Sequence, residues 1–138
     1  MSQKELEQLL NAVVPQAEER LAERGEVYPF GAMMKTDGGV VFSTVEAGDE
    51  SNPRGQFVEL LVSGLRARRA DYRAVAICWD GKIRQVDTEE VSDAVIVFLE
   101  HADGEAVNIY LPYQKMADGT YDYADLLGTE AQPRVFGD

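Results

Sequence analysis

Residues 93–101, Asp-Ala-Val-Ile-Val-Phe-Leu-Glu-His, run into Ala102-Asp103-Gly104-Glu105 and then into residues 106–113, Ala-Val-Asn-Ile-Tyr-Leu-Pro-Tyr. Two runs rich in β-branched and aromatic residues around an Asp-Gly pair predict an antiparallel hairpin. With Asp103 and Gly104 as the two loop residues, Phe98 faces Ile109 and Ile96 faces Leu111. Alternation then places Ile96, Phe98, Val107, Ile109 and Leu111 on one side of the ribbon. The other side carries Val95, Val97, Leu99, His101, Ala106, Asn108, Tyr110 and Pro112. A ribbon with one wet side alternates apolar and polar residues, and this one does not. Both sides therefore need cover, from helices, from a second subunit or from one of each.

The flanking sequence supplies candidates for that cover. Leu6, Leu9, Leu10, Val13, Ala17 and Leu21 recur at helical spacing and predict an amphipathic helix over 3–24. Gly25 is the expected left-handed stop, and Pro15 is expected to kink the helix or split it near Val14. Residues 26–45 predict a hairpin that turns at Asp37-Gly38-Gly39, with Pro29 at a strand start. Asn52-Pro53 predicts the start of a second helix. Its stripe is Phe57, Leu60, Leu61 and Leu65, with Val58 and Val62 beside it, and its end falls near Ala70-Asp71. Gly64 inside it suggests a close backbone approach. Residues 72–79 predict a strand. The weaker run over 83–86, past Asp80-Gly81, is either a separate strand or a continuation beyond a bulge. Residues 121–127 read as a short strand or a helical turn, and Val135 and Phe136 either dock or fray. Asp-Gly occurs four times, each where a turn is wanted.

The order α-β-β-α-β-β-β defines an α+β domain spanning 1–138, with a mostly antiparallel sheet of about five strands and two main helices. This order resembles the roadblock and longin group and, more broadly, profilin-like folds. The stretch Gly25-Glu26-Val27-Tyr28-Pro29-Phe30-Gly31-Ala32, with Leu99-Glu100-His101-Ala102-Asp103-Gly104, resembles small uncharacterised bacterial proteins that share a Tyr-Pro-Phe lead-in to a hairpin. The resemblance implies a bacterial source and no particular activity.

Charge narrows the function classes. The 138-residue chain has a formal net charge of -12. That argues against nonspecific binding to nucleic acid or to an anionic membrane. Residues 54–84 carry seven Lys or Arg against three Asp or Glu, whereas the remainder carries six against twenty-two. The basic stretch is a solvated helix flank or a stripe for an anion or partner. The single cysteine, Cys78, precludes an intramolecular disulfide and suits a reducing cytoplasm. The first residues carry no apolar signal-peptide core, and no run reaches the ~20 apolar residues that span a bilayer.

Catalytic chemistry finds few residues. Cys78 and His101, each alone of its type, make a conceivable dyad on neighbouring strands. A structural zinc site wants about four Cys or His ligands, more than the chain offers. Asp87, Glu89, Glu90 and Asp93 offer oxygen ligands at a spacing that matches no EF-hand. No phosphate-cradling glycine motif occurs, and nothing implies a cofactor. Glu100 is either solvated at the ribbon's end or buried, and if buried it needs a partner such as Arg66, Arg69 or Arg73. Tyr28, Phe30, Tyr110 and Tyr113 either fill the core or form a surface cluster for recognition. The expected function is a noncatalytic interaction domain, able to form a homodimer through one sheet face. The alternatives are an immunity-like neutraliser of a basic partner protein, and a small ligand-binding domain or enzyme with a pocket between sheet and helix. The candidate partner contacts are Tyr28, Phe30, Tyr110, Arg66, Arg69 and Arg73.

Overall fold

A computed structural model of the chain describes residues 2–27, 29–44, 54–84 and 91–136. In chain order the elements are α1 (Ser2–Arg24), β1 (Phe30–Lys35), β2 (Val40–Thr44), α2 (Arg54–Ala67), β3 (Tyr72–Arg84), β4 (Val91–His101), β5 (Ala106–Lys115), β6 (Tyr121–Tyr123) and β7 (Leu127–Glu130). The sheet runs β2-β1-β3-β4-β5-β6, with β7 on the other half of the β5 edge. Among the described residues every strand pairing is antiparallel. The α+β class stands, with seven strands among the described residues rather than about five. The two additional strands come from the residues after Tyr113 that local sequence left ambiguous.

α1 covers one face. Leu9, Val13, Ala17 and Leu21 have no exposed surface and pack on Ala32, Met34, Ala76, Cys78, Val95, Val97 and Leu99. Burying a Leu or Val side chain contributes about 1.5–3 kcal/mol, so this stripe is a main source of stability. The helix is not split at Pro15, which sits on the exposed side, opposite the buried stripe. Gly25 closes it at φ 76°, donating its N–H to the Leu21 carbonyl at 2.8 Å.

α2 covers part of the other face. Val58, Leu61, Val62 and Leu65 pack on Met33, Val75, Ile77 and Phe98. Leu60 is 57% exposed, so the stripe is centred one residue away from the expected one. α2 ends at Ala67, and a 3-10 turn at Arg69–Asp71 leads into β3. Gly64 is exposed, and a Cβ there would meet nothing within 4 Å, so no close approach explains it. The Asn52-Pro53 start lies outside the described residues, as do Tyr28 and the acidic residues Asp87, Glu89 and Glu90.

The central hairpin pairs one residue away from the expected register. Phe98 lies opposite Asn108 and Ile96 opposite Tyr110. The cause is the turn. Its loop has three residues, not two: Gly104 donates to the His101 carbonyl at 3.0 Å, and His101 donates to the Glu105 carbonyl at 2.8 Å. Gly104 takes φ 105°, the left-handed residue that ends a type I turn in such loops. Asp103 Oδ1 accepts the Glu105 N–H at 3.0 Å, which explains the aspartate before the glycine. Asp37-Gly38 and Asp118-Gly119 build the same turn with the same backbone bonds. A one-residue slip exchanges the faces of a strand. Hence Val95, Val97, Leu99, Val107, Ile109 and Leu111 face α1, while Ile96, Phe98, Glu100, Ala106, Asn108 and Tyr110 share the α2 face.

The fourth pair, Asp80-Gly81, is no turn. β3 continues through it to Arg84, paired residue for residue with β4. The glycine makes room, because a Cβ at Gly81 would lie 2.8 Å from Ile96 Cδ1. Asp80 is also anchored outside the ladder. Its Oδ2 accepts the Val27 N–H at 3.0 Å, and its own N–H donates to the Val27 carbonyl at 3.1 Å. These bonds fix the backbone just before β1.

Candidate functional site

The register brings Trp79, Ile96, Tyr110 and Leu127 into one row across β3, β4, β5 and β7. All four lie on the α2 face, where α2 covers the neighbouring ground at Met33, Val75, Ile77 and Phe98. The row itself is only partly covered: Trp79, Ile96 and Tyr110 are half-buried and Leu127 is 50% exposed. Leu126 beside it is 49% exposed. Residues 116–132 contain Asp118, Asp122, Asp125 and Glu130 and no Lys, Arg or His. The result is an aromatic and aliphatic strip. Of those acidic residues Asp122, opposite Gln114, lies on the row's face, whereas Glu130, opposite Val107, lies on the α1 face.

The candidate aromatic residues do not gather at one place. Phe30 is buried under α1, with the Arg20 guanidinium 4.4 Å above its ring. Tyr113 packs on Tyr121 and Tyr123 on the α1 side, while Tyr110 faces the other way. Burial pushes the Tyr123 hydroxyl above its ordinary range, with Glu18 adding to the effect. Tyr110 is thus the member of the expected set that joins the half-open row. Sequence reasoning passed over Trp79, Ile96 and Leu127 as site residues. The signal that groups them is the strand register, which depends on the length of one turn.

Much of the basic stretch is engaged internally. Arg66 Nη1 donates to the Arg134 carbonyl at 2.9 Å, and Arg69 Nη1 to the Val135 carbonyl at 3.4 Å. Arg73 pairs with Glu5 at 2.7 Å and Lys82 with Asp93 at 2.9 Å. Glu100 is buried with no exposed surface, and its partners are backbone N–H groups rather than arginine side chains. Arg134 and Val135 donate to Oε1 at 2.8 Å each, and Phe136 donates to Oε2 at 2.7 Å. Charge-assisted bonds of this kind are what allow a carboxylate to leave water.

His101 and Cys78 are apart. His101 lies opposite Ala74 and Cys78 opposite Val97, four residues along β3, roughly 13 Å at ~3.3 Å per residue. Burial raises the Cys78 thiol far above its usual range, which makes it a packing group rather than a nucleophile. His101 ties α1 to the sheet. Asp103 donates its N–H to Nδ1 at 3.1 Å, which leaves Nε2 to donate to Glu5 Oε1 at 2.7 Å. That bond, and then the one from Arg73, holds the Glu5 carboxyl below its ordinary range.

A groove of about 620 Å³ opens at the far end of the sheet, lined by residues including Lys82, Asp93, Tyr113, Lys115, Asp122 and Tyr123. Its mixed charges converge on no single ligand chemistry. Among the described residues no group of three or more His, Cys, Asp or Glu side chains could hold a metal ion. No helix among them is long and apolar enough to cross a membrane.

The chain matches no protein-family model, no curated protein and no solved structure.

Proposed function

We propose that this chain is a noncatalytic interaction domain that takes a basic protein segment on the Trp79–Ile96–Tyr110–Leu127 row. The observation that carries this reading is the row itself. It is a half-exposed strip with one Trp and one Tyr, aligned in register, on a sheet whose neighbouring surface is covered by α2. Trp and Tyr dominate binding energy at protein interfaces because they bury large area with little loss of rotamer freedom. The chain's net charge of -12 supplies the sign of the partner. Opposite charge steers encounter and rejects acidic competitors, and the effect weakens with salt.

The test is affinity capture from the source cell's extract with wild-type protein and with Tyr110→Ala and Leu127→Asp. The expected result is one basic protein bound by the wild type, lost by both variants and released by rising salt. Capture unchanged by both variants would remove the row from the reading, and capture indifferent to salt would remove the basic partner.

A further inference from the structure

We infer that the cleft between α2 and the β3–β4 surface is a receptor site for a bent peptide segment, filled in cis by residues 134–136. The grip falls on main chain from two sides. Glu100 accepts the N–H groups of Arg134, Val135 and Phe136 at 2.8, 2.8 and 2.7 Å. Arg66 and Arg69 donate to the carbonyls of Arg134 and Val135. Val135 is fully buried in the α2-side core. The Arg134 guanidinium lies 5.7 Å from the Phe98 ring centre and pairs with Glu59 at 2.7 Å.

Among the described residues Glu100 is out of water and is met only by the strap, so the cleft is satisfied only while an occupant supplies N–H groups. A buried carboxylate aimed at three consecutive N–H groups demands an occupant that brings them. The occupant here is three residues long and is reached through Gln132 and Pro133, both exposed. The site reads a backbone bend with three converging N–H groups, an aliphatic side chain in the Val135 position and a cation before it. The partner it fits is a protein segment of the form Arg-aliphatic-aromatic, which must displace the strap to enter. Trp79 packs against the same core as Val135, but the inference does not rest on the reading of the Trp79 row.

The experiment uses the full chain carrying Val135→Asp, which places a second carboxylate beside Glu100 and expels the strap. The probe is a labelled hexapeptide with the sequence of residues 131–136. Binding at least tenfold tighter to Val135→Asp than to wild type is expected. At least tenfold loss is expected when the probe is N-methylated at its valine or when Glu100→Gln is added. Equal binding of the methylated probe, or no binding to folded Val135→Asp, would overturn the inference. Should that variant not fold, amide exchange of the wild type decides. The Arg134, Val135 and Phe136 amides should exchange through local opening, faster than amides of the β3–β4 ladder. Exchange at the ladder's own rate would mean that the strap never opens alone, and the cleft would be ordinary core.

Discussion

At the scale of single residues, two side chains, Glu100 and Glu5, decide how the faces close. Glu100 is the most constrained. Glu100→Gln keeps the shape but turns an N–H donor toward one of the three amides. A cost of about 2–3 kcal/mol is expected by chemical denaturation, since a hydrogen bond to a charged group is lost and one amide is left unmet. Glu5 carries the acid response. Its carboxyl sits below its ordinary value of 4.5 because of His101 first and Arg73 second. A lowered folded pKa contributes stability above the unfolded value, and that contribution disappears as pH falls through the folded value. Wild type should therefore melt above Glu5→Gln near neutral pH, with the gap closing on acidification below 4.5. A gap independent of pH would contradict the Glu5–His101–Arg73 arrangement. Gly64 is the opposite case. Nothing crowds it, so Gly64→Ala should stabilise by about 1 kcal/mol through helix propensity alone, raising the melting temperature by about 3 °C.

At the scale of elements, much of the fold was legible in local sequence. α1 reads from six apolar residues and a terminal glycine because both signals are local. The strands through β5 read from β-branched runs between Asp-Gly pairs. The hairpin register did not read correctly, because Asp-Gly suits both a two-residue and a three-residue loop and only the backbone bonds of 101–105 distinguish them. Asp80-Gly81 misled for a nonlocal reason: Asp80 holds Val27 and Gly81 yields to Ile96, partners far away in sequence. β6 and β7 have too few residues to carry a period and are ordered by pairing with β5. Nor could sequence name the partner of Glu100, because the three groups that meet it are backbone amides, which every residue but proline carries. The turn geometry itself predicts that Gly104→Ala costs about 1–2 kcal/mol, the penalty for a left-handed alanine, measurable by thermal melting. An unchanged melting temperature would mean that the turn is not of this type.

At the scale of the whole molecule, α1 covers the central strands on one face, and α2 with the strap covers part of the other. What is left over on the second face is the Trp79 row. A site that consists of four residues on four strands has no signature in any one of them, which is why only Tyr110 was in view beforehand. Hydroxyl-radical footprinting of the native chain, read residue by residue, tests this arrangement most directly. Trp79, Tyr110 and Leu127 should be modified, while their sequence neighbours Cys78 and Leu111, together with Val97 and Phe98, stay protected. Modification of Leu111 and Phe98 as strong as that of Tyr110, or protection of Trp79 and Tyr110, would contradict both the register and the open row.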